Sequence, residues 1–281
     1  MNSLESKVVT ATKWSALKKK ISMKKQAITL DERKKIQLEM LKEIDAFCRA
    51  NDIRYSLAFG TLLGAIRHKG FIPWDDDADI MMPLPDLLKF KELFHSYKLK
   101  YCDVDTEKHY DFPFSRIAYS PTYRQQGLIF KSYGVCIDLL PVISIPSDEN
   151  KQNVFFSLVI KIRKKRKLAK KWRDRTIKYL PLRTIPFYDY IQKQYRNCIL
   201  GSIKYNSTGE YYVVAIPPEY REKVIYDSDL FKEIIDVDFE GLKFCAIKRY
   251  DVFLTQMYGD YMQLPPEGKR IPHHGGYYYW K

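Results

Sequence analysis

Two aspartates at alternate positions, Asp77 and Asp79, are the residues of this sequence whose spacing is best suited to chemistry. In a β-strand, side chains two residues apart point to the same face, so both carboxylates would lie together while Ala78 and Ile80 face the core. Two like charges at that distance repel unless a cation or a proton lies between them. Oxygen-rich pairs of this kind suit Mg²⁺, with Mn²⁺ as an alternative, and the ion then bridges to substrate phosphates. The pattern predicts a metal-assisted phosphoryl-transfer site.

A Gly-Thr pair upstream, Gly60 and Thr61, strengthens this prediction. A helix that starts there offers backbone N–H groups to a phosphate. Arg67 follows within the same stretch, and its forked guanidinium matches phosphate geometry. A salt bridge between Arg67 and the aspartates would explain the residue equally well.

A third carboxylate, Asp138, is the one charge in the apolar stretch 134–142. A charge in a buried strand is costly unless it is paired or bound to a metal. If this strand neighbours the strand of Asp77 and Asp79, Asp138 becomes a third metal ligand, and an ion-paired aspartate at a strand end is the alternative. Asp75 and Asp76 fit a ligand role and a turn role equally well, since aspartates also bond to the backbone of turns.

The elements that must position these residues follow from caps and periodicity. Thr29 and Glu32 form a capping box, and apolar residues then recur at helical spacing up to residue 50. The predicted helices cover 30–50, 61–67, 86–97, 148–200 with interruptions near Pro181 and Pro186, and 249–258, and the predicted strands cover 55–59, 75–81, 114–119, 128–130, 135–142 and 211–216.

Two strings of residues resemble the LicD/fukutin family. The first is Gly60-Thr61-Leu62-Leu63-Gly64…Arg67…Ile72-Pro73-Trp74-Asp75-Asp76-Asp77…Asp79, and the second is Tyr258-Gly259-Asp260-Tyr261-Met262…Pro265-Pro266…Arg270…His273-His274, with Phe239-Glu240-Gly241 resembling a further block. The resemblance implies a nucleotidyltransferase-like α/β (α+β) fold with a mixed sheet core. We expect a basic N-terminal segment over 1–28, a catalytic core over 29–147, and a mostly helical C-terminal lobe with a tail over 148–281 that completes the site.

The resemblance also implies an activity. Family members transfer a phospho-alcohol, often phosphocholine, from a CDP-activated donor such as CDP-choline to a glycan. Gly60 and Thr61 would then hold donor phosphates, and Asp77, Asp79 and Asp138 would hold Mg²⁺. The expected acceptor is a hydroxyl of a cell-surface glycan (lipopolysaccharide, teichoic acid or capsule) or its lipid-linked precursor. The alternatives are a non-catalytic nucleotide-binding or glycan-binding module and a nucleotidyltransferase that uses an NTP.

Further residues are candidates for the same site. Glu240 in a predicted turn could act as base for the acceptor hydroxyl. Lys248 and His274 are candidates for the donor phosphates. Aromatic faces hold quaternary ammonium groups and stack on bases, although packing explains abundant aromatics as well. The candidates for contact with the alcohol or the base are Trp74, Tyr258 and Tyr278.

Charge is concentrated in two segments of this 281-residue chain. The net charge is +14, of which residues 1–28 carry +6 and residues 161–175 carry +9, so the rest of the chain carries −1. This distribution argues against a nucleic-acid surface and for local docking to an anionic partner. The segment 155–175 runs from apolar to basic residues and suits an anionic membrane interface. A solvated basic helix and docking to an anionic polymer are the alternatives.

The remaining composition points to a compartment. Five cysteines without a CxxC pair suggest a reducing environment and no zinc site. The sequence shows no signal peptide and no apolar run near the about 20 residues of a membrane span. We therefore expect a cytoplasmic protein that is either soluble or peripheral on the inner face of the membrane.

Overall fold

A seven-stranded mixed sheet forms the centre of the protein. The computed structural model describes residues 26–108, 110–126, 130–146, 148–177, 185–202, 210–213, 223, 225–272 and 277–281. In these ranges six α-helices and thirteen strands are present, which agrees with the predicted α+β class. The helices are α1 (Leu30–Ala50), α2 (Phe59–His68), α3 (Leu84–Leu93), α4 (Glu149–Ile177), α5 (Ile185–Leu200) and α6 (Tyr250–Tyr258).

The thirteen strands are short apart from the central one. They are β1 (Ala27–Ile28), β2 (Ser56–Leu57), β3 (Asp79–Pro83), β4 (Leu99–Cys102), β5 (Ser115–Tyr119), β6 (Thr122–Gln126), β7 (Phe130–Tyr133), β8 (Cys136–Ser144), β9 (Tyr211–Val213), β10 (Ile225–Tyr226), β11 (Ile234–Phe239), β12 (Leu242–Ile247) and β13 (Tyr278–Trp280).

Strand β8 is the axis of the main sheet. On one side it pairs in parallel with β3, which pairs antiparallel with β2. On the other side its first half pairs antiparallel with β5 and its second half with β9, and β4 and β10 continue these two arms. The parallel register sets Asp79 opposite Asp138, so the predicted neighbourhood of the two strands is confirmed.

Helix α1 begins where the capping box predicts. The Thr29 hydroxyl accepts a hydrogen bond from the Glu32 backbone N–H at 3.2 Å, and the Glu32 carboxylate accepts one from the Thr29 N–H at 2.8 Å. Two orphan donors of the first turn are satisfied in this way. The apolar face, including Met40, Leu41 and Ile44, is buried in the main core.

Several predicted boundaries need correction. The strand predicted over 75–81 is β3, Asp79–Pro83, so Asp77 precedes the strand and no strand pairing orients it. The predicted alternation of core-facing and outward-facing residues is nevertheless present, because Ala78 and Ile80 are fully buried. Helix α3 starts at Leu84 and ends at Leu93 rather than spanning 86–97, since Phe94 adopts extended backbone. The strand predicted at 128–130 falls mostly outside the described residues; the described hairpin is β6–β7.

Residues after 147 contribute to the same core as the residues before it. Helices α4 and α5 pack through Phe155, Phe156, Val159 and Tyr195 against one end of the main sheet. The β11–β12 hairpin and α6 add Phe239, Phe244 and Phe253 to the main cluster. Strands β1 and β13 join the ends of the described chain in a second sheet, of order β1-β13-β6-β7. Among the described residues, no helix has the length and apolar character needed to cross a membrane.

Candidate active site

An open cleft of about 1050 Å³ lies beside the start of β3. One wall comes from α2 and the acidic loop, which we define as residues 72–79. The other wall comes from residues 257–270, the end of α6 and the segment that follows it. The two sequence strings that carry the family resemblance therefore face each other across one cavity. Its volume is at the upper end of the range for small-molecule sites.

The N-terminus of α2 forms the floor of the cleft at Phe59 and Gly60. Phe59 has a φ of 44°, a left-handed conformation that strains a bulky residue and that is concentrated at functional sites. At Gly60, a Cβ would overlap the Asp75 Oδ2. Glycine at this position therefore lets the Asp75 carboxylate approach the first turn of the helix.

Thr61 has a positional role in the structure. The residue is buried, and its hydroxyl accepts a hydrogen bond from the Asp79 backbone N–H at 2.9 Å. The Ala58 N–H donates to the Asp79 carbonyl at 3.0 Å. The start of α2 and the start of β3 are thus tied together at Asp79.

The acidic loop carries three consecutive carboxylates. One oxygen from each of Asp75, Asp76 and Asp77 lies within 4.8 Å of the others. Asp75 and Asp77 line the cleft, whereas Asp76 is buried against Arg33, whose Nη2 lies 2.8 Å from its Oδ2. The Asp75 Oδ1 also accepts a hydrogen bond from the Asp76 backbone N–H at 3.0 Å, so the position of Asp75 fits both the ligand role and the turn role. The Asp76 carboxylate is paired with Arg33.

Helix α1 holds the same loop through a second cation. The Lys34 Nζ donates to the carbonyls of Ile72 and Pro73, both at 2.9 Å. Because Arg33 and Lys34 are adjacent on α1, the helix contacts both ends of the segment 72–76. The conformation that brings Asp75 and Asp77 into the cleft thus depends on α1.

Asp79, the first residue of β3, and Asp138, the third residue of β8, lie side by side, but their partners differ. Asp79 lines the cleft. The Asp138 carboxylate contacts the Arg116 guanidinium twice, with Nε to Oδ1 at 2.6 Å and Nη2 to Oδ2 at 2.9 Å. Arg116 is the register partner of Asp138 in β5. The ion-paired alternative for Asp138 therefore describes the observed geometry, beside the carboxylates that reach the cleft.

The crowding of carboxylates shifts their proton affinities. Burial, reinforced by the negative charge of Asp77, raises the pKa of Asp75 to about 7. Burial and then the charges of Asp77 and Asp138 raise the pKa of Asp79 well above its ordinary value, and Arg116 opposes that rise. Each additional negative charge in this cluster is therefore costly until a cation enters.

Cations line both walls of the cleft. Arg67 donates from Nη1 to the carbonyl oxygens of Tyr261 at 2.8 Å and Gln263 at 3.2 Å, and so connects the two walls. No described carboxylate forms an ion pair with Arg67, and burial lowers the pKa of its guanidinium. Lys269 and Arg270 complete the set.

Aromatic side chains border both walls. Trp74 lies beneath the Arg270 guanidinium, with 5.6 Å from its Cζ to the ring centroid. Tyr258 lines the same cleft as Asp75, Asp77 and Asp79. Desolvation of its hydroxyl and the charges of Asp79 and Asp75 raise the pKa of Tyr258, so the hydroxyl stays protonated. With 44% of the residue exposed, Tyr258 offers a hydrogen-bond donor at the cleft surface.

Thr61 and Asp138 are not among the described residues that line the cleft, and three further predicted site residues make contacts elsewhere. Glu240 accepts a hydrogen bond from the Phe71 N–H at 2.9 Å and braces the turn at 69–71. Lys248 forms an exposed ion pair with Glu233. Tyr278 packs on Arg33 in the second sheet. His274 lies outside the described residues.

Sequence reasoning gave no site role to the residues that support the acidic loop or to Lys269 and Arg270. Arg270 had a signal in the sequence, because it belongs to the C-terminal string of the resemblance. Arg33, Lys34 and Arg116 had none, since a cation in an amphipathic helix or a strand is ordinary until its partner is known.

A mixed sheet with carboxylates on adjacent parallel strands, beside a helix N-terminus on one wall of a cleft, defines a nucleotidyltransferase-like protein. The model of the family described as LicD/FKTN/FKRP, nucleotidyltransferase domain, matches residues 52–197. The chain belongs to this family.

Curated relatives agree with this assignment. The chain is 29% identical over 267 residues to the lipopolysaccharide cholinephosphotransferase LicD of Haemophilus influenzae, which covers 88% of this chain and 96% of the relative. It is 37% identical over 70 residues to an uncharacterised protein of Rickettsia typhi, covering 25% of this chain and 23% of that protein. It is 33% identical over 73 residues to an uncharacterised protein of Rickettsia prowazekii, covering 26% of this chain and 27% of that protein.

Proposed function

We propose that this protein transfers phosphocholine from CDP-choline to a hydroxyl of lipopolysaccharide, another cell-surface glycan or a lipid-linked precursor, and that the reaction requires Mg²⁺. The observation that carries the proposal is the meeting of three carboxylates and three cations around one cleft: Asp75, Asp77, Asp79, Arg67, Lys269 and Arg270. The similarity to a cholinephosphotransferase over nearly its whole length supports the choice of substrate.

Asp75, Asp77 and Asp79 are the residues that would hold the metal. Their donor set consists of carboxylate oxygens, which are ligands that Mg²⁺ prefers. Burial, and after it the charge of neighbouring carboxylates, raises the pKa of Asp75 and of Asp79, and a bound cation would balance that charge. Asp138 would act beside them from its pair with Arg116. When bound, Mg²⁺ neutralises the pyrophosphate of the donor and the charge that develops during transfer.

The protein groups around the cleft would bind and orient the donor. The first turn of α2 at Gly60 and the guanidinium of Arg67 suit the phosphates, because helix N-termini and planar forks both match anionic oxygens. Lys269 and Arg270 supply charge from the opposite wall. Trp74 offers a ring for the cytosine or the trimethylammonium group.

The bond changes follow from the donor. The acceptor hydroxyl oxygen attacks the phosphorus that bears choline, and the bond from this phosphorus to the bridging oxygen of the pyrophosphate breaks. CMP leaves with that oxygen, and the hydroxyl proton passes to solvent or to a cleft base. Catalysis then rests mainly on positioning and charge neutralisation.

Ligand-dependent thermal stability tests the donor and the metal together. A ligand that binds only the folded state raises Tm by mass action. The unfolding of the wild type is measured with CDP-choline, CDP-ethanolamine, CDP-glycerol, CDP-ribitol and ATP, each with MgCl₂ and with EDTA. We expect a Mg²⁺-dependent rise with CDP-choline that Asp77→Asn loses and that Glu43→Gln, the removal of an exposed charge on α1, keeps. A rise in Tm with ATP alone, or no rise with any of the donors, would contradict the proposal.

A further inference from the structure

The outer face of α4 carries apolar and basic side chains in one narrow stripe. At about 100° per residue, Val154, Leu158, Lys161, Lys165, Leu168 and Trp172 fall within an arc of about 80°. All six are exposed, and Val154, Leu158, Leu168 and Trp172 are 71%, 48%, 56% and 62% exposed. We call these six residues the α4 outer stripe.

The opposite face of α4 accounts for the packing of the helix. Phe155, Phe156 and Val159 are buried against the main sheet, and Ala169 is buried further along. The inner face provides the packing contacts of this helix, whereas Val154, Leu158 and Leu168 of the outer stripe are large apolar side chains that remain about half exposed or more. Exposed apolar side chains grouped in this way mark an interaction surface.

The charge of the same helix selects the kind of partner. Residues 161–172 contain eight Lys or Arg and no Asp or Glu. Three of these cations are turned towards the protein: Arg163 contacts Tyr195, Arg166 contacts Gln192, and Lys170 lies 3.5 Å from Asp111.

The five remaining cations of this segment are lysines. At about 100° per residue, Lys161 and Lys165 lie on the outer stripe, Lys164 and Lys171 lie within about 60° of its edge, and Lys167 lies about 100° from its edge. None of the five forms an ion pair with a described carboxylate. The exposed lysines are Lys161, Lys164, Lys165, Lys167 and Lys171.

Helix α5 extends the apolar surface at one end. The contacts of Arg163 with Tyr195 and of Arg166 with Gln192 show that α4 and α5 run antiparallel. The start of α5 therefore lies level with the last turns of α4, and it carries Phe187 and Tyr190, which are 59% and 58% exposed. Four exposed large apolar side chains, Leu168 and Trp172 of α4 and Phe187 and Tyr190 of α5, thus lie at the same level along this helical pair.

We propose that the α4 outer stripe and the start of α5 dock on an anionic phospholipid bilayer, with the apolar side chains in the interface and the lysines at the headgroups. Apolar residues aligned with lysines on one helical face are the arrangement that lies in a membrane interface, and long lysine chains reach the headgroups from there. This inference deepens the proposed function. It rests on the proposed function in one respect, the idea that the protein meets a lipid-linked acceptor at the membrane surface.

Vesicle sedimentation tests the surface directly. The full chain is mixed with vesicles of phosphatidylcholine alone or of phosphatidylcholine with 30% phosphatidylglycerol at about 0.15 M salt, where surface charges still act over roughly 8 Å. We expect binding to the anionic vesicles only. Replacement of Lys164, Lys165, Lys167 and Lys171 by Ala should weaken it at least tenfold. A matched variant that replaces four exposed lysines elsewhere, Lys35, Lys98, Lys232 and Lys281, should bind as the wild type does.

A second variant separates a bilayer from a soluble polyanion. Leu158→Ser with Leu168→Ser keeps every charge, so it should weaken vesicle binding several-fold and leave retention on a heparin column unchanged. If this variant bound vesicles as well as the wild type does, the surface would bind polyanions in general and the proposal would be overturned. Equal vesicle binding by the two lysine variants, or no binding by the wild type, would also overturn it. The vesicle assay contains no CDP-choline and no glycan acceptor. A negative result for membrane binding is therefore distinct from a negative result for the transfer reaction.

Discussion

The Arg116 guanidinium contacts both oxygens of Asp138, and Asp138 is the register partner of Asp79 across β3 and β8. Only 18% and 11% of the Arg116 and Asp138 side chains are exposed. The charge of Asp138 is therefore balanced within the protein. Asp79, one strand away, lines the cleft and has its pKa raised by burial and by the negative charges of its neighbours.

Asp138→Asn is expected to destabilise the fold. The substitution leaves Arg116 buried beside a neutral partner, and breaking a buried ion pair in this way costs about 3–5 kcal/mol. Urea denaturation should show this loss both in MgCl₂ and in EDTA. Asp238→Asn is the control, since it breaks an exposed pair with Lys243 and should cost less than about 1 kcal/mol. A stable Asp138→Asn protein that no longer responds to Mg²⁺ would instead make Asp138 a metal ligand.

Arg33→Ala should impair metal binding without removing a metal ligand. The Arg33–Asp76 pair is buried, with side-chain exposures of 7% and 4%. Its loss frees the segment that carries Asp75 and Asp77. We expect a fall in the free energy of unfolding of about 3–5 kcal/mol and a several-fold rise in the Mg²⁺ concentration that gives half-maximal thermal stabilisation.

Two companion variants make the Arg33 experiment specific. Arg33→Lys retains the charge and should recover part of the Mg²⁺ response. Lys35→Ala removes an exposed cation from the same helix and should behave as the wild type. A Mg²⁺ response that is unchanged in Arg33→Ala would show that α1 does not position the acidic loop.

Gly60→Ala should disturb the site more than the fold. The new Cβ would overlap the Asp75 Oδ2, and the carboxylate is the group that must move. Alanine favours a helix over glycine by about 1 kcal/mol, which offsets part of the strain. We expect Tm to change by a few degrees and donor-dependent stabilisation to fall at least tenfold in apparent affinity. Gly201→Ala, which meets nothing within 4 Å, is the control; equal behaviour of the two variants would contradict the account.

The stability of the metal-free protein should depend on Asp75. Its folded-state pKa is about 7 and its ordinary value is 3.8, so the folded state binds this proton more tightly than the unfolded state. The resulting stabilisation is complete below about pH 4 and is lost as pH rises to about 7. In EDTA, the free energy of unfolding should be about 2–4 kcal/mol lower at pH 8 than at pH 5 for this reason.

Two comparisons isolate the contribution of Asp75. Asp75→Asn cannot titrate, so its stability in EDTA should be flatter between pH 5 and pH 8 than that of the wild type. MgCl₂ should stabilise the wild type more at pH 8, where the carboxylates no longer hold protons. A parallel pH dependence in the two proteins would show that Asp75 titrates near its ordinary value.

The sequence predicts local structure well where the signal lies within one element. The capping box at Thr29 and Glu32 specifies the start of α1, and the apolar stretch around Asp138 specifies β8. A single charge in an otherwise apolar strand also predicts that the strand ends beside a polar site, and Asp138 does lie next to Asp79.

The placement of Asp77 and Asp79 is predicted from the sequence only in part. Alternation predicts that both face away from Ala78 and Ile80, and the burial agrees. The alternation does not show that the hydrogen-bonded strand begins only at Asp79, because β3 starts where β8 provides a partner strand. Long-range contacts such as Arg33 with Asp76, or Arg116 with Asp138, depend on the tertiary fold and carry no local pattern.

The most direct test of the central claim is CMP release from CDP-choline. The wild type, Asp79→Asn and the control Glu43→Gln are incubated with CDP-choline and a glycan acceptor in MgCl₂ or EDTA, and CMP and the phosphocholine-modified acceptor are quantified together. We predict equal amounts of the two products from the wild type and Glu43→Gln in MgCl₂, none in EDTA, and at least a thousandfold slower reaction from a folded Asp79→Asn protein. Full activity of Asp79→Asn, or equal activity in EDTA, would contradict the account.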